Sequence, residues 1–282
     1  MIAICPNPFR DIGLKITRRT AAMLNGAGYK TAICPVFAED EPGIIPEDIH
    51  TVGLEKAVSM GCSLIVVIGG DGTLLSVART LHEYSIPILG VNLGTKGFMA
   101  TLEESDLDLV LNAARGEMTV SRRMKLDVAV VRSGETVYAD CALNDAVIHG
   151  YGDCIKLTAS CNGDVITCYS GDGIILSTPT GSTGYSMSAG GPIIEPEAEN
   201  IIITPICAHV MGARSFVLAP SREIAVIAEK LRGRRAYLAV DGSGLFDLAN
   251  GDTIVVKRSG QYTPMVNMGL KSFYDIAYEK LT

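Results

Sequence analysis

No long basic run occurs in this 282-residue chain. Lys and Arg total 24 against 31 Asp and Glu, a formal charge of −7, and the densest basic stretches are Arg122-Arg123 and Arg232 to Arg235. Nucleic-acid binding needs a basic footprint. Both stretches read as solvated surface, and nucleic acid is excluded as a partner. No segment approaches the roughly 20 apolar residues of a membrane span, so no membrane association is expected. The opening MIAICPNPFRD lacks the basic-then-apolar pattern of a signal peptide. The expectation is a cytoplasmic protein.

C-x-x-C pairs are also missing, although there are eight cysteines, at 5, 34, 62, 141, 154, 161, 168 and 207. Cys154, Cys161 and Cys168 are evenly spaced and raise the idea of a metal site. The local pattern opposes it. Asn162-Gly163 reads as a two-residue hairpin turn. Strand alternation then puts Cys161 and Cys168 on one face with Ile155, Leu157 and Ile166, and Cys154 on the other. Buried thiols in a reducing compartment are expected, and no side chain is assigned as a metal ligand. Two common nucleotide signatures are absent too: the lysine-bearing G-x-x-x-x-G-K-[ST] loop and the G-x-G-x-x-G fingerprint.

What is present is a globular composition, 48% hydrophobic and 20% charged, with 30 glycines concentrated in motifs and turns. The first ~115 residues alternate strand with helix. IAIC, KTAICPV, LIVVIG and IPILGVN read as strands; residues 12–27, 74–81 and 107–116 read as helices, and 37–50 as an exposed loop. That alternation predicts a parallel sheet covered on both faces, with ligands at the carboxyl ends of its strands. From about residue 120 the period changes. KLDVAVVRSGETVYADCALNDAVIHG reads as two strands joined at Ser133-Gly134. The cysteine-bearing hairpin follows, then GIILST, REIAVIAE, AYLAVDG and DTIVVKRS, an antiparallel region. Residues 270–281 return to helix, with Phe273, Ile276, Ala277 and Leu281 as the apolar stripe. The expected domains are 1–119, joined by a returning 262–282, and 120–261.

The most informative stretch is SLIVVIGGDGTLLSVARTLH, 63–82. A strand ends in Gly69-Gly70-Asp71-Gly72-Thr73 and passes at once into helix. Such a turn presents backbone N–H groups to phosphate. A carboxylate repels phosphate, so Asp71 is given a different role, that of accepting or orienting the proton of an attacking hydroxyl. The plainer alternative is a helix cap. The second dense stretch is GDGIILSTPTGSTGYSMSAGGP, 171–192, where hydroxyls, backbone donors and Tyr185 gather at a strand-to-helix turn suited to ribose, phosphate and a stacked base. Its alternative is a Ser/Thr/Gly surface loop. Asn144-Asp145 can bind two ribose hydroxyls and reads equally as a turn, as does Asp241-Gly242. His149 and His209 read as surface or locally bonded.

GGDGT followed by STPTGSTGYS resembles the NAD kinase family. GVNLGTKGF, ALND, SGDG, AGGP and VDG also match, in that family's order, from about residue 64 to 242. GGDGT alone is shared with diacylglycerol-type lipid kinases and 6-phosphofructokinases; the later block is much more specific. The resemblance implies a Rossmann-like α/β N-terminal domain with a parallel sheet and a mainly antiparallel, β-sandwich-like C-terminal domain. It implies transfer of the γ-phosphate of ATP, or of polyphosphate, to the 2′-hydroxyl of the adenosine ribose of NAD. It also implies a divalent metal, usually Mg²⁺, and a homodimer or homotetramer. Asp71 would face the acceptor hydroxyl, and Gly69, Gly70, Gly72 and Thr73 would shape the phosphate site. Phe98 would pack beside the dinucleotide. Asn144 and Asp145 would hold the ribose, and Asp172 the nicotinamide end. Thr180, Thr183, Gly184, Tyr185 and Ser188 would line the adenosine pocket, with Asp241 at its edge. Two positions depart from the family: Asp145 stands where Glu is usual, and Lys96 where an apolar residue is usual. The rival readings are a lipid kinase and a non-catalytic dinucleotide sensor.

Overall fold

The computed structural model describes residues 1–282 apart from Thr95, Lys96, Met211, Lys230 and Thr282, with the side chain of Asp40 also outside the described set. The resemblance-based question about Lys96 therefore lies outside the described residues. The first part of the chain runs β1 (Ile2–Pro6), α1 (Lys15–Gly26), β2 (Thr31–Ile33), α2 (Leu54–Ser59), β3 (Leu64–Gly69), α3 (Asp71–Thr80), β4 (Ile88–Asn92) and α4 (Leu109–Ala114). Every residue of β1, β3 and β4 is buried, as parallel strands covered on both faces require. The pairing is parallel throughout, in the order β2-β1-β3-β4.

Several elements differ from the sequence reading. The helix expected over 12–27 is interrupted at Gly13 (φ 66°) and Leu14 (φ 54°), and α1 starts at Lys15. Asp11 supplies the turn: its carboxylate accepts the N–H groups of Ile16 and Thr17 and the Thr17 hydroxyl. α3 begins at Asp71, three residues before the apolar pattern shows, because small and acidic residues suit a first turn. α2 carries too few apolar positions to announce itself; Ala57 is its buried residue.

The later part of the chain continues as β5 (Thr119–Arg132), β6 (Glu135–Ala142), β7 (Asp145–Gly150), β8 (Ile155–Cys161), β9 (Asp164–Gly171), β10 (Gly173–Ser177), α5 (Tyr185–Ser188), β11 (Ile201–Ile206), β12 (Phe216–Leu218), β13 (Glu223–Glu229), β14 (Ala236–Val240), β15 (Ser243–Leu248), β16 (Thr253–Asn267) and α6 (Phe273–Leu281). One antiparallel sheet has the order β12-β11-β10-β7-β14-β15; a second set contains β16-β13-β8-β9 and the β5–β6 hairpin. Ile148, Ile174, Ile203 and Leu238 from the first meet Leu126, Leu157, Ile224 and Val256 from the second in one buried cluster, a sandwich core. The chain thus forms two units, Met1–Arg122 with Thr263–Thr282, and Arg123–Tyr262. In the first unit Met265 of β16 pairs in parallel with Ile88 of β4, and Val266 joins the core of Ile4, Leu24, Val66 and Leu89.

The segment read as two strands around Ser133-Gly134 is three, because the chain breaks at Leu143-Asn144 before β7. The cysteine hairpin also needs correction. Its Asn162-Gly163 turn forms, with Cys161 opposite Asp164. A bulge between Ala159 and Ser160 shifts the register so that Cys168 pairs with Thr158 on the outer face. Cys168 and Cys207 are exposed and Cys141, Cys154 and Cys161 half-buried; Cys5, Cys34 and Cys62 are the buried thiols. On α6 Ile276 is buried and Phe273 and Ala277 are half-buried, but Leu281 is 57% exposed.

Candidate active site

In the first unit Gly70, extended at φ −135° and ψ −172°, is the single residue between β3 and α3. A Cβ on Gly69 would lie 2.8 Å from the Cβ of Thr73, so the strand cannot end in a larger residue without displacing it. Thr73 is buried and accepts from the Asn7 side-chain amide at 3.1 Å. At Gly72 a Cβ would meet nothing within 4 Å, and the backbone there stands open.

The Asp71 carboxylate points at the segment after β4. Its Oδ2 accepts the N–H of Phe98 at 2.7 Å, and its Oδ1 accepts those of Met99 and Ala100 at 3.1 Å each. A Cβ on Gly97 would overlap this carboxylate. Only a glycine lets the loop close this tightly. A carboxylate has about four acceptor positions; the three amides leave one, on Oδ2. Phe98 lies with its ring centroid 6.2 Å from that of Phe273 on α6, and the Lys280 ammonium sits 4.5 Å above it. A cavity of about 330 Å³ opens beside Gly97, lined also by Asn92, Ala100, Glu103 and Ile276.

One cation at this turn escaped the sequence reading. Arg10 donates from Nη1 to the Leu93 carbonyl at 2.9 Å, and its Cζ is 3.8 Å from where a Gly70 Cβ would stand. Its signal was indirect. The loop after β1 leaves the sheet at the same edge as the loop after β3, because the two strands pair in parallel.

In the second unit a similar device holds the other motif. Asp241, at φ 50° just after β14, accepts the N–H groups of Leu143 at 2.7 Å, Asn144 at 2.7 Å and Asp145 at 3.0 Å. The Asn144 carbonyl accepts from Thr178 and the Thr178 hydroxyl donates to the Leu143 carbonyl, so the 143–145 and 177–184 segments are laced together. A Cβ on Gly181 would come within 2.6 Å of the Asn144 carbonyl carbon. Asn144 Oδ1, Ser177 Oγ and Thr180 Oγ1 are buried without a hydrogen-bond partner among the described residues. Buried orphans of this kind are costly and call for a hydrogen-bond partner.

Asp145 is 6% exposed, and burial together with the neighbouring Asp241 charge pushes its carboxyl up to about 7. Burial lowers the pKa of Lys125, against the smaller opposing pull of Cys141, Asp241 and Asp127. Tyr185 is 43% exposed; burial raises its hydroxyl's pKa first, then the charges of Tyr237, Cys207, Asp172 and Asp145. The Asp172 carboxylate raises the pKa of the Cys207 thiol. Thr183 is half-buried over the Thr180 carbonyl, Gly184 leaves 3.9 Å between a would-be Cβ and the Asn144 amide nitrogen, and Ser188 is exposed at the end of α5. Asn144, Asp145, Asp172, Thr180, Thr183, Gly184, Tyr185, Ser188 and Asp241 thus belong to one unit; Gly69, Gly70, Asp71, Gly72, Thr73 and Phe98 belong to the other. His149 bonds the Gly150 carbonyl and stacks on Tyr237; His209 meets the Cys154 thiol at 3.7 Å.

Residues 15–115 match the ATP-NAD kinase N-terminal domain and residues 143–268 the ATP-NAD kinase C-terminal domain. The NAD kinase of Acetivibrio thermocellus is 37% identical over 99% of this chain and 96% of its own length. The chain belongs to the NAD kinase family. The NAD kinase of Natranaerobius thermophilus is 41% identical over 78% of this chain and 77% of that one. Among solved structures, yeast NADH kinase complexed with NADH superposes with a TM-score of 0.86 at 25% identity, covering 99% of this chain and 86% of that one. An NAD kinase from Archaeoglobus fulgidus in complex with ATP gives 0.75 at 24%, covering 100% and 98%, a likeness of fold. The parallel first unit and the antiparallel second unit are the two-domain fold of this family. Within it, Asp145 is buried beside Asp241, with its carboxyl pushed up to about 7.

Proposed function

We infer that this protein is an NAD kinase, transferring the terminal phosphoryl group of ATP to the 2′-hydroxyl of the adenosine ribose of NAD and releasing ADP and NADP. The structural observation that carries the reading is Asp71: a carboxylate fixed by three backbone amides at the head of α3, with one acceptor position left. The incoming hydroxyl donates to that position and is oriented for in-line attack. Its oxygen bonds to the phosphorus as the donor's P–O bond breaks, and its proton leaves toward Asp71. Positioning and charge neutralisation carry such a reaction. Gly69, Gly70, Gly72 and Thr73 shape the phosphate site and Phe98 packs beside the dinucleotide. Asn144 and Asp145 bind ribose hydroxyls, supported by the orphaned Asn144 Oδ1. Thr180, Thr183, Gly184, Tyr185 and Ser188 line the adenosine pocket, with Asp241 at its edge and Asp172 toward the nicotinamide.

Among the described residues no three His, Cys, Asp or Glu side chains converge as a metal site. We assign the divalent ion, Mg²⁺, to the donor's phosphates, whose oxygens are its ordinary ligands, and no step is routed through a protein-held metal. No helix among the described residues is long and apolar enough to cross a membrane. A cytoplasmic homodimer or homotetramer is part of the same proposal, resting on the family resemblance and testable by sedimentation. The lipid-kinase and sensor readings gain no supporting observation. The decisive test incubates the protein with ATP, Mg²⁺ and NAD and detects NADP with an NADP-specific dehydrogenase. NADP should accumulate; none with either ATP or polyphosphate overturns the reading.

A further inference from the structure

We propose that Arg10 is a catalytic residue of this site: its guanidinium binds the phosphoryl oxygens of the donor as the group is transferred. The inference rests on the kinase reading above. The chain lacks the lysine of the ordinary phosphate loop, so the cation facing the phosphates has to come from another segment. Arg10 is the cation that the described structure lays against the glycine turn.

Its backbone is fixed from both sides. Asn7 is buried, donates its N–H to the Ile68 carbonyl at 2.8 Å and its side-chain amide to Thr73. Asp11 is 2% exposed and holds the first turn of α1 through three hydrogen bonds. The Asn7 carbonyl accepts the N–H groups of both Arg10 and Asp11. Between these anchors the Arg10 side chain is exposed and runs across two glycines. One is Gly70, where a Cβ would stand 3.8 Å from Cζ. The other is Gly94, at φ +134°, where a Cβ would stand 2.5 Å from Nη1. The second glycine makes room for the guanidinium itself. Of five N–H donors, one goes to the Leu93 carbonyl; four remain among the described residues. A planar fork with donors to spare, beside a helix N-terminus, matches two phosphoryl oxygens. The role is chemically economical: Asp71 serves the acceptor hydroxyl, and Arg10 neutralises charge on the phosphoryl oxygens and the departing ADP.

The test compares wild type, Arg10→Ala and Arg10→Lys as full-length proteins. Arg10→Ala should lower kcat/KM for ATP by about 100-fold while KM for NAD stays within about threefold. Arg10→Lys keeps the charge without the fork and should recover about tenfold of that loss. Melting temperatures should be unchanged, since the side chain is exposed; Arg10→Gln serves if the alanine variant fails to fold. Inorganic tripolyphosphate binding, measured calorimetrically without turnover, should weaken in Arg10→Ala. Wild-type kcat/KM for ATP with unweakened tripolyphosphate binding, or equal losses toward ATP and NAD, overturns the proposal. A wild-type protein that makes no NADP overturns the kinase reading instead, and tripolyphosphate binding still decides Arg10.

Discussion

Asp71 in the first unit and Asp241 in the second each accept three consecutive backbone N–H groups, from residues 98–100 and from 143–145. Each held loop closes against a glycine, Gly97 beside Asp71 and Gly181 beside Asn144. The local device is the same, and the neighbours differ. Asp241 lies beside a buried acid, Asp145, and within the field of Lys125. Among the described residues the donors to Asp71 are backbone amides alone. The pair teaches that a carboxylate saturating a loop's amides is a positioning element first. What else it does depends on the group set next to it: an acid forced toward neutrality in one case, an open acceptor position in the other.

The comparison breaks most sharply at Asp71. Asp71→Asn places an amide where three N–H groups need acceptors and removes the charge, so turnover should fall by about 10³–10⁴-fold in the NADP-coupled assay. NAD binding by calorimetry should persist. Near-normal turnover would leave Asp71 as a loop anchor like Asp241. Asp145→Asn tests the other side. Asp145 has its carboxyl at about 7 in the fold against an ordinary 3.8. The fold therefore favours the protonated form, and the stability this group gives is complete below pH 4 and lost as pH rises through 7. The asparagine variant should be the more stable protein at pH 8, by up to about 4 kcal/mol, and nearly equal at pH 4. Thermal melts at the two pH values check it; parallel pH profiles would remove the buried-acid account. Gly97→Ala pushes a methyl into the Asp71 carboxylate and should cost about 100-fold in kcat with the fold retained. An unaffected kcat would show the loop to be free to move. Asp241→Asn is expected to be the mildest. It gives up the Oδ2 bond to Leu143, about 1–2 kcal/mol in urea unfolding, and should let the Asp145 carboxyl titrate lower in a carbon-detected NMR titration. An unmoved Asp145 would mean that burial alone sets its value.

The two motif loops were legible because each packs its chemistry into a dozen successive residues between a strand and a helix. The parallel and antiparallel halves were legible because their apolar periods differ. What could not be read was whatever depends on register or on a partner far along the chain. The grip of Asp241 on 143–145 spans almost a hundred positions, and Asn7 reaches Thr73 only because β1 lies beside β3. The outward turn of Cys168 follows from one bulge that alternation cannot foresee. The near-neutral Asp145 follows first from burial and then from Asp241, almost a hundred positions away.

The first unit is built from both ends of the polypeptide, because Thr263 onward supplies the strand beside β4 and the helix that meets Phe98. On the ribosome the consequence is one of timing. The second unit is contiguous in sequence, whereas β4 keeps an open edge, and Phe98 lacks its partner ring, until Thr263 onward has been made. The turn that carries Asp71 therefore acquires its finished surroundings only after the whole of the second unit has been translated.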